Sequence, residues 1–144
     1  KLPSEWAAIG ITPVVGAFDD AHGPASILLP GGSEGAVFMI FGNFRVIERY
    51  NTADAYVIGV GHLSDRIKGG PAIDQVWPRR LRALSRDERV ELQERLNKAG
   101  FGELVLDAKM GPLTVNAVRA FQRANGLTPD GYPSLDVLER LRAG

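Results

Sequence analysis

Hydrophobic and polar positions change their spacing partway along the chain. From residue 85 onward, apolar residues recur every three or four positions in three stretches. Leu92, Leu96 and Ala99 form the first, and Thr114, Ala117, Val118, Phe121 and Ala124 form the second. Leu135, Leu138 and Leu141 form the third. This is the spacing of one buried helix face. Local signals bound each stretch. Ser85-Arg86-Asp87-Glu88 is a capping box, and Gly100 ends the helix it opens. Pro112 follows Gly111 at a position where a helix needs no N–H, and Gly126 closes that second helix. Pro129-Asp130-Gly131 is a turn, and Ser134 caps the last helix. Each helix is too short to persist alone, so the three are predicted to pack together.

Upstream the period changes. Ala25–Pro30 and Ala36–Phe41 are short apolar runs around Gly31-Gly32-Ser33-Glu34-Gly35, which predicts a strand hairpin with a glycine loop. Asn43 is expected to cap a helix through Phe44, Ile47 and Tyr50. After a break near Asn51–Ala53, a second helix places Tyr56, Val60, Leu63 and Ile67 on one face. Residues 1–24 carry little periodicity, and Asp19-Asp20 followed by Gly23-Pro24 read as a loop. The predicted fold is mainly α, with a small β hairpin in the N-terminal half (α+β) and a three-helix C-terminal unit. Gly69-Gly70-Pro71 and Pro78 mark a linker, giving boundaries at 1–68, 69–78 and 79–144. No internal repeat is apparent.

Composition narrows the function classes. The 144 residues are 44% apolar and 24% charged, a globular balance, and contain no cysteine. Disulfide scaffolds, thiolate metal sites and thiol nucleophiles are therefore excluded. No apolar run approaches the ~20 residues of a membrane helix. Residues 1–76 carry 5 Lys/Arg against 8 Asp/Glu, a net of −3; residues 77–144 carry 12 against 9, a net of +3. That asymmetry is too mild for a nucleic-acid groove and fits two units of different origin. The chain opens Lys1-Leu2-Pro3-Ser4 without Met, the expectation for a processed chain or a piece of a longer one.

Candidate chemistry is sparse. His22, in a loop beside Asp20, and His62, on a helix, are the only histidines, and no metal site is expected from them. No cofactor is expected either: the Gly31-Gly32 loop lacks the Gly-Lys-Ser/Thr that would cradle a phosphate. No nucleophile elbow is present. Glu5, Glu34, Glu48 and Glu103 do not stand out as acids in apolar pockets, the setting that raises a carboxyl for glycoside chemistry. Trp77 either packs on a neighbour or offers a sugar platform. The dense cluster is Arg49-Tyr50-Asn51-Thr52-Ala53-Asp54-Ala55-Tyr56. Two phenols and an amide around a helix break would suit a sugar. Alternatively, Tyr50 and Tyr56 are half-buried packing residues and Asn51 caps the second helix. On one continuous helix the phenols would lie about 120° apart, so a shared cleft demands the break.

At these residues a resemblance emerges. Asn43-Phe44-Arg45-Val46-Ile47-Glu48-Arg49-Tyr50-Asn51, then Tyr56 and Gly61-His62-Leu63-Ser64-Asp65-Arg66-Ile67, resembles the end of the catalytic domain of membrane-bound lytic transglycosylase B-type enzymes. Leu29-Pro30-Gly31-Gly32 and Gly35-Ala36-Val37-Phe38 resemble the region just before it. Residues 85–142 resemble the three-helix peptidoglycan-binding domain of such enzymes. The matching stretches are Glu91-Leu92-Gln93-Glu94-Arg95-Leu96-Asn97, Gly111-Pro112-Leu113-Thr114, Ala117–Gln122 and Gly126–Gly131. One departure stands out: the usual Asp-Gly before the second helix is Asp107-Ala108, which predicts that a positive-φ residue there is lost or shifted.

The resemblance implies a peptidoglycan glycan strand as partner and a periplasmic or cell-envelope location. It also implies cleavage of the MurNAc-β-1,4-GlcNAc bond with 1,6-anhydro ring formation. Tyr50, Asn51 and Tyr56 match positions lining the glycan cleft. Gln93, Asp107, Thr114 and Gln122 are the residues it points to in the binding module. The family's catalytic glutamate matches no residue here and would precede Lys1, so a missing N-terminal part of the same protein is a further expected partner. The competing expectation is a non-catalytic peptidoglycan-binding protein. A helical DNA-binding module is disfavoured by Asp87, Glu88, Glu91 and Glu94 on its first helix.

Overall fold

The computed structural model describes residues 1–75, 77 and 82–144. Val76 and Pro78 of the expected linker, and Arg79 at the expected start of the C-terminal unit, lie outside the described residues. The chain divides into two compact units, Lys1–Pro30 with Val37–Asp74, and Gly31–Ala36 with Gln75–Gly144. Among the described residues the architecture is mainly helical with one two-stranded sheet, and no helix is long and apolar enough to cross a membrane.

In the first unit, residues 1–24 show little period yet form α1 (Pro3–Ala8) near their start. Its six residues are too few to show a period. Pro3 starts it, and Glu5 reaches back to accept from the Leu2 N–H at 2.7 Å. Asp20, in a 3₁₀ turn over Asp20–His22, accepts from the Ser4 N–H and hydroxyl and closes the segment. The hairpin pairs β1 (Ser26–Leu28) antiparallel to β2 (Phe38–Ile40), with Ile27 opposite Met39. α2 (Gly42–Glu48) begins directly after β2, so its N-cap is Phe41, still extended; Asn43 lies inside the first turn and makes no cap. α3 (Asp54–Ile67) follows the break.

The burial of α3 departs from expectation. Val57 is the buried residue, whereas Tyr56, Val60, Leu63 and Ile67 are exposed, Ile67 at 78%. The stripe exists, but the helix is apolar on two sides, and α2 packs with α3. A period locates a face; it does not choose between two.

The second unit matches its local signals closely. α4 (Arg86–Lys98) carries the Ser85–Glu88 capping box, with Glu88 N–H donating to Ser85 Oγ and Ser85 N–H to the Glu88 carboxylate. α5 (Pro112–Ala124) has Pro at its start, and in α6 (Leu135–Ala143) the Ser134 hydroxyl accepts from Val137 N–H. Leu92, Leu96, Val118, Phe121 and Leu138 meet in one core, where Phe101 sets its ring edge-on to Phe121 at 5.4 Å. Ala99 and Ala124, expected on the buried faces, are exposed at the helix ends, where each chain turns away from the core. Asn97 holds the following loop, donating to Leu104 O and accepting from Leu104 N–H.

Ion pairs tie the helix ends together. Arg82 brackets Glu88 with both guanidinium nitrogens, and Glu91 accepts from Arg142 and Arg95. The Arg82 and Ser85 bonds bring Glu88 from 4.5 down to about 2, and Arg142 and then Arg95 do the same to Glu91. Depressed carboxyl values mean stability that is complete above pH 4.5 and lost as pH falls from 4.5 through about 2. These groups are solvent-screened, so the effect is modest. The melting temperature is expected to drop by a few degrees between pH 5 and pH 2.5, and Glu91→Gln should flatten that slope.

Candidate functional site

The sequence between α2 and α3 carries the densest polar and aromatic group. Ala53, extended at ψ 117°, is the N-cap of α3 and offers no side-chain cap. Asn51 is therefore not the helix cap. Its Oδ1 accepts from Ala53 N–H at 2.9 Å, an Asx turn that reverses the chain one step earlier. This turn breaks the helix where a shared cleft demanded a break. It brings Tyr50 and Tyr56 into a stacked pair, ring centroids 6.0 Å apart and 28° from parallel. Tyr50 is 84% exposed and is not a half-buried packing residue, whereas Tyr56, at 38%, is partly packed. The result is an aromatic shelf beside a turn.

Asp54, within the same cluster, adds chemistry of its own. It is the first residue of α3, and burial, then the charge of Glu48 at the end of α2, hold its carboxyl above the usual range. A raised carboxyl next to polar aromatics marks a functional-site candidate. Its signal in the sequence was the Glu48/Asp54 pair astride the break, which matters only once the chain turns there. Among the described residues no three His, Asp or Glu side chains are grouped to hold a metal ion. His22 sets its ring edge-on to Phe41. Trp77 is part-exposed at 42%.

The four residues of the second unit sit inside its hydrogen bonding. Gln93, Thr114 and Gln122 are buried, and Asp107 is exposed. Gln93 donates to Asp107 Oδ1, Lys109 O and Thr114 Oγ1, while its own carbonyl accepts from Ala108 N–H at 3.0 Å. Asp107 Oδ1 also accepts from Lys109 N–H. The Lys109 and Gln93 bonds hold its carboxyl below the usual range. Gln122 repeats the pattern. It donates to Asp130 Oδ1 at 2.7 Å and accepts from Gly131 N–H, and Asp130 Oδ1 accepts from Tyr132 N–H. Burial pushes the Asp130 carboxyl up, but the bonds from Tyr132, Ser33 and Gln122 outweigh it and leave it below the usual range.

The unit thus contains one device twice: helix Gln, loop Asp, then a positive-φ residue whose N–H the Gln takes. Ala108 at φ 62° and Gly131 at φ 78° are the paired residues. This corrects two expectations, that no repeat exists and that Ala108 shifts the positive φ away. The buried amide holds the loop so firmly that an alanine adopts the left-handed region.

The two positions should answer substitution differently. A Cβ on Gly131 would lie 2.7 Å from Val115 Cγ1 and 2.9 Å from Arg119 Nε. Gly131→Ala is expected to cost about 2–3 kcal/mol, from left-handed strain plus overpacking. In Ala108→Gly, relief of about 1–2 kcal/mol of strain is offset by a lost buried methyl and added chain entropy, leaving a change within about 0.5 kcal/mol. Urea unfolding of both variants reads the asymmetry.

Comparisons with known proteins divide the chain similarly. Residues 1–65 match the transglycosylase SLT domain family and residues 85–141 a peptidoglycan binding domain family. No curated protein matches the chain. Two solved structures of SltB3 from Pseudomonas aeruginosa, one in complex with NAG-anhNAM-pentapeptide and one with NAG-NAM-pentapeptide, are each 39% identical over 99% of this chain, with TM-scores of 0.92. The chain spans 39% of their length. The chain carries an SLT domain followed by a peptidoglycan-binding domain and is homologous to SltB3-type lytic murein transglycosylases.

Proposed function

We propose that this chain supplies one wall of the glycan cleft and the wall-binding module of a lytic transglycosylase. That enzyme cleaves the MurNAc-β-1,4-GlcNAc bond of peptidoglycan in the cell envelope. A glutamate outside this chain protonates the leaving oxygen and then serves as base while the muramic 6-hydroxyl closes the 1,6-anhydro ring. The observation that carries the reading is the stacked Tyr50–Tyr56 pair at the Asn51 turn. Exposed aromatic faces pack on sugar C–H faces, and the phenols with the amide turn offer hydrogen bonds to orient the substituents. The outward apolar stripe of α3 supports the same reading, because a helix apolar on two sides belongs inside a larger body. In this reading Gln93, Asp107, Thr114 and Gln122 are positioning residues that shape the module's loops.

Binding is the test. The chain is expected to be retained by insoluble peptidoglycan and to release no 1,6-anhydro muropeptides by itself. Tyr50→Ala should weaken binding of a disaccharide–peptide fragment about fivefold, the worth of roughly 1 kcal/mol of aromatic packing. Its melting temperature should stay unchanged, because Tyr50 is exposed. Unchanged affinity, or loss of stability in step with affinity, would sink the cleft-wall role.

A further inference from the structure

The second unit contains a cavity of about 180 Å³, and its wall includes the loop Gly31–Glu34 as well as residues from 122 to 140. At ~30 Å³ per water, it has room for a small organic group and not only for solvent. The loop is held by Asp130, whose Oδ2 accepts from Ser33 N–H at 2.7 Å. Gly32, at φ 71°, is pressed so close that a Cβ would lie 2.9 Å from that same carboxylate oxygen. The cavity is therefore assembled from two distant chain segments and fixed by a bond across 97 residues of sequence.

Its chemistry is mixed in a particular way. Val137 is buried, and Leu127 and Tyr132 are part-buried, which gives the cavity apolar surface. Arg140 and Thr128 also line it, and neither side chain makes a hydrogen bond or ion pair among the described residues. The Ser134 hydroxyl accepts from Val137 N–H and keeps its own proton to donate. Unspent donors beside apolar surface suit a carbonyl carrying a small alkyl group. Asp130 lines the same cavity with its carboxylate held by Ser33, Gln122 and Tyr132, which favours a neutral acceptor over an anion.

We propose that this two-segment cavity is a binding subsite for a neutral N-acyl group of peptidoglycan, its carbonyl taken by Arg140 and the hydroxyls and its methyl seated on Val137, Leu127 and Tyr132. The inference rests on the peptidoglycan reading above and deepens it. Two sources carry the same chemistry: the 2-acetamido groups of the sugars and the alanyl amides of the stem peptide.

The experiment is a nitrogen-15 NMR titration of the whole chain with chitotriose in one arm and free stem pentapeptide in the other. The expected result is saturable shifts of the Ser33, Thr128 and Tyr132 amides in at least one arm, and the arm that responds assigns the source. Arg140→Ala, an exposed position outside the packed core, should weaken that binding about tenfold, the worth of a hydrogen bond from a charged donor. Tyr132→Ala provides an independent variant of the apolar side. Cavity amides that stay still in both arms at millimolar probe overturn the proposal, as does unchanged affinity in both variants. Shifts confined to Tyr50, Asn51 and Tyr56 would overturn the cavity and leave the cleft-wall role standing. Shifts at the cavity alone would support the cavity and count against the aromatic shelf.

Discussion

Leu96→Ala should leave the second unit largely unfolded at 37 °C and abolish retention by peptidoglycan. Leu96 is fully buried where α4, α5 and α6 share one core. Truncating a buried leucine costs about 2–5 kcal/mol, the removed methyl groups plus the cavity left behind. A unit of roughly 60–70 residues has only about 3–10 kcal/mol of stability in total, so one truncation consumes a large share. Leu113→Ala, at an exposed position of α5, serves as the contrast and should change stability by less than about 0.5 kcal/mol. Urea melts followed by helical circular dichroism, with retention by sacculi on the same samples, read both quantities. Wild-type-like stability in Leu96→Ala would mean that the three helices do not share the core described.

Gln93→Leu is expected to be nearly as damaging, although it adds apolar surface to the interior. Gln93 is 1% exposed, its two amide protons are shared among Asp107 Oδ1, Lys109 O and Thr114 Oγ1, and its oxygen accepts from Ala108 N–H. Leucine would fill similar space, so volume is not the issue. The cost comes from the partners left behind. The Ala108 N–H is buried and loses the Gln93 acceptor, at about 1–3 kcal/mol, and the loop must then hold Ala108 left-handed without help. The sum is about 2–4 kcal/mol, or roughly 10–25 °C in melting temperature for a unit this small. The double variant Gln93→Leu with Ala108→Gly should recover part of the loss, because the strain goes with the methyl. A neutral Gln93→Leu would show that the loop keeps its shape without the amide.

How far the sequence could be read depended on whether a determinant was local. The three C-terminal helices were legible because Ser85, Pro112, Ser134 and the closing glycines act within a turn of themselves. The hairpin was legible for the same reason, as two apolar runs about one glycine loop. The face of α3 was not, because Val57 and the Tyr56–Ile67 stripe are both apolar and the choice belongs to the packing partner. The resemblance points to Gln93 and Gln122 in the binding module, but their place in the hydrogen bonding was not legible. Their partners lie 14 and 8 residues away across loops that no period connects. The unequal loops also hid the repeat. At the aromatic cluster, the need for a break could be argued from helix geometry, but the Asn51 side chain makes the turn where a helix cap had been expected.

The doubled Gln–Asp clasp separates two properties that are usually tied together. Its two copies span 14 and 8 residues, yet each ends in the same three bonds. The length of either connection is therefore free to drift while the docking of the helix that follows stays fixed. Chain entropy barely resists, since doubling a loop costs only about 0.6 kcal/mol. Insertions within 102–106 or 127–129 should thus be where homologous modules differ most in size, with the clasp residues themselves unmoved. A module built this way acquires new surface next to a fixed scaffold, and its neighbouring cavity can be reshaped without refolding the bundle.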